Sequence, residues 1–315
     1  MGSQQARSPV LVIQGPTASG KTAVAIELAL RLKGEVISAD SRAFFVGLDI
    51  VTAKPTVNEQ AGIPHHLIDC VPIDGAYDAM AFRLDVERLL PEIRTRHRRP
   101  IIAGGGTLYL GSILRGLFEG PEKNEDLRAV LRERTRDDLF RELMSVDPEA
   151  AARIHANDRL RVIRALEVYR TTGKPMSAWQ IEAKALPEDF LVVGLFRERE
   201  QHRLAIEQRV RSMLEHGLIE EIDRLRGEGL APEAQAYRTI GVPEAFDVLD
   251  GKISRDQFVP IVAARTWQLV RRQMAWFRRD KNVHWIDVSQ STPQEVANQI
   301  LSPDFGETSM SEGAM

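Results

Sequence analysis

The sequence predicts an α/β fold: a P-loop NTPase-like parallel sheet flanked by helices, with an inserted helical subdomain. Three observations predict it. The apolar run Val10-Leu11-Val12-Ile13 leads directly into Gly15-Pro16-Thr17-Ala18-Ser19-Gly20-Lys21-Thr22, a complete G-x-x-x-x-G-K-T phosphate loop in strand-loop-helix context. Short apolar runs then alternate with helical stretches, the pattern of a parallel sheet. From about 118 to 189 that alternation gives way to charged, helix-patterned sequence, before strand character returns at Phe190.

Each element has its own signal. Val24, Ile26, Leu28, Ala29 and Leu32 place one apolar face on a helix from Thr22 to Leu32, which Gly34 is expected to end. Glu35-Val36-Ile37-Ser38 reads as the second strand, and Asp40 then emerges at its carboxyl end, where open α/β sheets bind ligands. A helix follows over about Tyr77 to Arg96, and Pro100-Ile101-Ile102-Ala103 reads as a buried strand ending in Gly104-Gly105-Gly106-Thr107. In the insertion, Asp147-Pro148 starts one helix. His155-Ala156-Asn157-Asp158 caps another, running from Arg159 to Thr171 with the stripe Leu160, Ile163, Leu166 and Tyr169 and stopped by Gly173. Phe190 to Leu195 is a strand, about Glu200 to Arg226 and Arg255 to Arg279 are two long helical stretches, and Val283 to Ile286 is the last strand. The domain reading is a core of 8–117 and 190–290 with C-terminal helices, an inserted acceptor-binding subdomain at 118–189, and a disordered tail at 302–315.

Composition narrows the class. At 315 residues and 43% hydrophobic content the chain can bury substantial cores. It has no stretch of about 18 uncharged apolar residues and no charged-then-apolar leader, so the expected setting is the cytoplasm, without membrane attachment, and the expected state a monomer. The single cysteine, Cys70, lies in Leu67-Ile68-Asp69-Cys70-Val71, which reads as a buried strand or its edge, and no chemistry is assigned to it. A net charge of −3 gives no global attraction to nucleic acid, so any such surface must be local, built from arginine groups such as Arg159, Arg161, Arg164 and Arg170 or Arg271, Arg272, Arg278 and Arg279. Solvated helix faces explain such groups equally well.

The loop itself grips a diphosphate or polyphosphate. Its glycines let backbone N–H groups turn toward phosphate oxygens, Lys21 adds positive charge, Thr22 is placed to hold Mg²⁺, and a helix N-terminus points at the anion. Taken alone it allows a kinase, an NTPase, a group-transfer enzyme or a nucleotide-dependent switch. The neighbours decide: Asp40-Ser41, Gly47 to Pro55, Ile63-Pro64-His65-His66-Leu67-Ile68-Asp69, Gly104 to Leu110, and His155 to Pro175 with its Thr172-Gly173-Lys174-Pro175 end. In that order and spacing they resemble the tRNA dimethylallyltransferases, or tRNA isopentenyltransferases, over about residues 9 to 288.

The resemblance implies that the loop, Gly15 to Thr22, holds dimethylallyl diphosphate with Mg²⁺, and that the five-carbon group passes to N6 of an adenine next to the anticodon. It gives Asp40 the role of base, a position that a helix cap would also suit. Such an adenine must be unstacked to reach the electrophile, so a channel open at both ends is expected. By the same resemblance the anticodon stem-loop is held by Ser41-Arg42-Ala43, by Leu160, Arg161 and Arg164, by Arg238 and Gly241, and by Arg271-Arg272-Gln273.

Departures from the family cluster on the acceptor side. The usual Gly-Gly-Thr-Gly is Gly104-Gly105-Gly106-Thr107, so Gly106 stands at the threonine position and Thr107 is the substitute, acting through a local backbone shift. Ala43, Phe45 and Val46 replace polar or basic residues, Trp267 stands where an arginine is usual before Gln268, and Ala205 replaces another arginine, with Arg199, Arg203 and Arg209 nearby. Gly47 to Thr52 and Ile240 to Glu244 also look like the adenylate isopentenyltransferases, which leaves a free adenine nucleotide or another small amine as the alternative acceptor. Ala53-Lys54-Pro55 and the full insertion are of the tRNA type. A phosphoryl-transfer enzyme is disfavoured because no set of mobile arginines over a γ-phosphate can be placed. A non-catalytic RNA-binding protein would have no use for Lys21, Thr22 and Asp40 together.

Overall fold

The structure is a computed structural model and describes residues 8–305. Its sheet is built from β1 (Val10–Gln14), β2 (Gly34–Ser38), β3 (His65–His66), β4 (Arg99–Gly104), β5 (Phe190–Phe196) and β6 (His284–Asp287), in the order β3-β2-β4-β1-β5-β6. Every pairing is parallel, and β1 is central, with Ile13 opposite Ala103 on one side and Val193 on the other. The strands β1, β2 and β4 are buried along nearly their whole length because both faces are covered, as parallel sheets require. The chain folds to one side of β1 first and to the other with β5, so the loops leaving β1, β2 and β4 converge on a crevice at the carboxyl ends.

Helix α1 (Lys21–Leu32) buries Val24, Ala25, Leu28 and Ala29 in a cluster with Leu11, Ile13, Ile101 and Val193, each valine, leucine or isoleucine contributing about 1.5–3 kcal/mol. Its C-cap differs from expectation: Lys33 takes the left-handed conformation at φ 51°, and Gly34 instead opens β2. Gly34 is a glycine for space, since a Cβ would lie 2.9 Å from the Arg99 carbonyl oxygen of the neighbouring strand. Helix α2 (Ala79–Thr95) is capped by Asp78, whose carboxylate accepts from the Met80 and Ala81 N–H groups.

The segment around Cys70 is not the buried strand the sequence suggests. Leu67 and Asp69 adopt left-handed φ values of 59° and 51°, which breaks the extended alternation, and Cys70 is exposed. Only His65–His66 pairs with β2, and Val71 makes an isolated bridge to Phe45. The Lys54 ammonium, almost fully buried, draws this region together by donating to the Phe45 carbonyl and to the Asp49 and Asp69 carboxylates.

The chain divides into two compact units, 1–110 with 187–315 and 111–186. Helix α3 (Thr107–Leu114) contains the boundary, and the second unit holds α4 (Glu125–Glu133), α5 (Arg136–Val146), α6 (Pro148–Arg153), α7 (Arg159–Thr172) and α8 (Met176–Glu182). Asp147, Asp158 and Gly173 cap α6 and α7 as the sequence predicts. The buried face of α7 is Val162, Ile163, Ala165, Leu166 and Val168; Leu160, expected in the stripe, is 77% exposed. At the centre of this unit Glu167 is fully buried. Burial opposes its charge, but Arg128, Arg164 and the Asn124 N–H all donate to it and hold its pKa below the ordinary carboxylate value.

After β5 the expected single stretch from Glu200 to Arg226 is two helices, α9 (Arg199–Glu215) and α10 (Leu218–Gly227), broken by Gly217 at φ 92°. Then come α11 (Val242–Leu249), which the sequence reading missed, α12 (Arg255–Phe277), β6, and α13 (Pro293–Ile300). The expected disordered tail begins in a turn: Phe305 packs against the sheet cluster and on His284, while 306–315 lie outside the described residues. Among the described residues no helix is long and apolar enough to cross a membrane.

Candidate active site

Two chambers open at the carboxyl ends of the strands and share Thr17, Asp40, Thr52 and Arg209 in their walls. The smaller, about 60 Å³, is lined by Lys21, Thr22, Ala43, Lys54 and His65. The larger, about 320 Å³, is lined on its polar side by Ser41, Arg42, Thr107, Arg238 and Arg272, and on its apolar side by Val51, Ile206, Val210, Met213 and Leu269. The carboxylate of Asp40 therefore stands where the two meet.

The loop after β1 is a phosphate cradle by construction. Gly20 sits in the left-handed region at φ 81° and leaves α1 without a side-chain N-cap, so its first amides remain available to an anion. Gly15 cannot carry a side chain, because a Cβ would lie 2.4 Å from the Leu195 carbonyl oxygen. Pro16 offers its carbonyl to the Lys21 ammonium at 2.7 Å, and Ala18 bends the loop at φ 61°. Ser19 is buried beneath. Burial lowers the Lys21 pKa from 10.5 to about 8; Asp40 pulls it up and Arg209 pushes it down. Thr22 is exposed toward the smaller chamber.

Asp40 leaves β2 with its Oδ1 accepting from the Arg42 N–H at 3.0 Å, an arrangement that turns the chain sharply. Arg42 donates to the Gln235 carbonyl, and the Gln235 carboxamide bonds both the N–H and the carbonyl of Tyr77. This ties the acceptor wall to the C-terminal segment. The backbone of Asp49, Ile50 and Val51 donates three N–H bonds to the buried Glu221 carboxylate of α10, at 2.7–3.1 Å.

Gly106 accounts for the altered glycine loop. Its N–H donates to the Ala39 carbonyl, and a Cβ there would lie 2.6 Å from that same oxygen. A threonine cannot sit at 106 in this backbone, whereas Thr107, at the start of α3, lines the larger chamber. Gly106→Thr is expected to destabilise the fold by about 2 kcal/mol or more, read as a lowered Tm, because a Cβ there meets the Ala39 backbone oxygen on one side and the buried Tyr109 ring on the other. An unchanged Tm would contradict this account of the loop.

Other expected acceptor residues separate into distinct places. Arg238 and Arg272 reach the larger chamber, but Ala43 lines the smaller one and Arg271 is exposed and lines neither. Gly241 has a backbone role: at φ 102° it caps α11, and a Cβ would press within 2.7 Å of Val51. Gln273 lines the larger chamber and, largely buried, bonds to the loops after β1 and β4. Leu160, Arg161 and Arg164 belong to the second unit; Arg161 is exposed beside Asp158, while Arg164 is committed to Glu167 and the Pro121 carbonyl.

Of the arginines near Ala205, Arg209 enters the site. It is held by a bond to the Thr52 carbonyl at 2.9 Å; burial lowers its pKa and Asp40 opposes that. Arg203 instead lies over the Trp267 ring, and Arg199 pairs loosely with Glu200. The signal that could have singled out Arg209 is its spacing from Ile206, Val210 and Met213, which puts it on the one face of α9 that lines the chamber.

The IPP transferase family model matches residues 43–280. The tRNA dimethylallyltransferase of Thermomicrobium roseum is 43% identical over 290 residues, covering 90% of this chain and 88% of that protein. The tRNA delta(2)-isopentenylpyrophosphate transferase of Staphylococcus epidermidis superposes with a TM-score of 0.68 at 36% identity, over 93% of this chain and 97% of that one. A eukaryotic dimethylallyltransferase, whose structure is described as acting on tRNA, gives 0.82 at 28% identity over 95% of this chain and 79% of that one.

Proposed function

Because the chain belongs to the IPP transferase family, we propose that it transfers the dimethylallyl group of dimethylallyl diphosphate to N6 of an adenine beside the anticodon of tRNA. The observation that carries this reading is the pair of chambers meeting at Asp40: one is built for an anion, the other for a larger, partly apolar guest.

The diphosphate is bound by the amides at the start of α1, by Lys21, and by Arg209 on the facing helix. The allylic carbon then lies at the junction. An extruded adenine enters the larger chamber, whose apolar wall takes the base while Arg42, Arg238 and Arg272 face the flanking backbone. N6 attacks C1, the C1–O bond breaks with its electron pair leaving on the diphosphate, and the N6 proton passes to the Asp40 carboxylate. Lys21 and Arg209 stabilise the charge that gathers on the departing oxygens. Thr107 is placed to hydrogen-bond the base edge.

The donor set fits Mg²⁺. Thr22, in the first turn of α1, offers a single hydroxyl to the smaller chamber. That suits an ion taking most of its oxygens from substrate phosphates and water. When bound, it supplies further neutralisation of the leaving group.

Incubation with dimethylallyl diphosphate and Mg²⁺ is the test, with an anticodon stem-loop containing consecutive adenines in one arm and AMP, ADP and ATP in the others. A five-carbon mass gain is expected on the stem-loop. Gain on a free nucleotide and none on RNA would overturn the acceptor assignment.

A further inference from the structure

Thr17 is held in a way that phosphate binding alone does not require. Backbone N–H groups of a phosphate loop ordinarily turn toward the anion. Here the Thr17 N–H donates to Gln273 Oε1 at 3.1 Å, and the Thr17 carbonyl accepts from His202 Nε2 at 2.7 Å. Both partners are buried, His202 to 2% exposure and Gln273 to 8%, and they come from two different helices, α9 and α12. The same Gln273 carboxamide donates from Nε2 to the Gly105 carbonyl at 2.8 Å, so one side chain joins the loop after β1 to the loop after β4. Trp267 packs edge-on against the His202 ring at 5.8 Å and 83°, which gives that departure from the family a place in the structure.

With the Thr17 N–H and carbonyl both engaged, the two peptide groups that flank Thr17 are not free to rotate toward a phosphate. Thr17 lines both chambers. We propose that His202 and Gln273 are positioning residues that fix the backbone on both sides of Thr17, so that the Thr17 hydroxyl is presented at the junction of the chambers beside Asp40 and Arg209. Gln273 additionally fixes the spacing between the diphosphate loop and the acceptor loop. The inference rests on the diphosphate reading of the loop given above.

His202→Phe keeps an aromatic ring against Trp267 and removes the donor; His202→Gln restores an N–H at comparable reach. Thr17→Val removes the hydroxyl and keeps the shape. Stem-loop prenylation is expected to fall at least tenfold in kcat for His202→Phe, Gln273→Leu and Thr17→Val, while stem-loop affinity stays within twofold. His202→Gln should recover turnover to within about threefold of wild type. The double variant His202→Phe with Thr17→Val should be no slower than the slower single variant, since both remove one effect. Full additivity, turnover within twofold of wild type in His202→Phe and Gln273→Leu, or parallel loss of stem-loop affinity would overturn the proposal. Binding of inorganic pyrophosphate to the wild type is measured alongside. Its absence would overturn the diphosphate reading, whereas pyrophosphate binding with unaffected variants would overturn the clamp alone.

Discussion

Asp40→Asn is expected to lower kcat for prenyl transfer by about 10²- to 10⁴-fold, the range for loss of a positioned general base. The substitution tests chemistry without disturbing the loop. Asp40 Oδ1 accepts from the Arg42 N–H at 3.0 Å, and an asparagine carbonyl oxygen accepts the same bond, so the turn into the acceptor wall is retained. The sign of the binding effect separates this role from a phosphate-binding one. Asp40 is the anionic neighbour of both Lys21 and Arg209, raising the pKa of each. Removing its charge relieves repulsion toward a diphosphate, so pyrophosphate affinity at pH 6.5, where Lys21 remains protonated, should hold or rise. Measuring single-turnover rates beside pyrophosphate affinity resolves the two. Near-normal turnover would remove Asp40 from the base role, and weakened pyrophosphate binding would mean that it serves the anion in some other way.

The phosphate loop, the strands β1, β2 and β4, and the caps at Asp147, Asp158 and Gly173 were legible because each is written locally: period, cap and glycine lie within a few residues of one another. What escaped depends on partners far along the chain. Arg209 shares a face of α9 with Ile206, Val210 and Met213, but only the fold sets it against the Thr52 carbonyl, 157 residues away. Gln273 lines the larger chamber, but its bonds to Thr17 and Gly105 are ones that no local pattern encodes. The Cys70 segment reads as a buried strand or its edge because Leu67, Ile68 and Val71 make it an apolar run, but Leu67 and Asp69 adopt left-handed φ values and Lys54 bonds to Asp69. Leu160 was misassigned for a simpler reason. It lies in the first turn of α7 and is 77% exposed, although Ile163 and Glu167 further along the same side of the helix are buried.

Lys21 yields the second large effect, and its pH dependence identifies the group responsible. Replacing it by alanine should weaken diphosphate binding by about 1.5–3 kcal/mol, the usual worth of a hydrogen bond to a charged group, or roughly 10- to 150-fold. In the free protein burial holds the Lys21 pKa at about 8, below the 10.5 of an exposed lysine. A bound anion favours the charged form, so binding near and above pH 8 draws a proton onto Lys21. Wild-type affinity should therefore be level below pH 7 and fall above pH 8, approaching tenfold per pH unit. Lys21→Ala lacks this titration and supplies the baseline for the ligand's own ionisation, so the two affinities should converge as pH rises. Stability of the free protein moves the opposite way: between pH 8 and 10.5 the unfolded chain binds more protons at this position than the folded one, so that contribution to stability grows with pH. A wild-type affinity that parallels Lys21→Ala from pH 7 to 9.5 would show that the ammonium does not carry the diphosphate. Lys21→Arg separates charge from titration, since a guanidinium stays protonated throughout and should bind without the decline above pH 8.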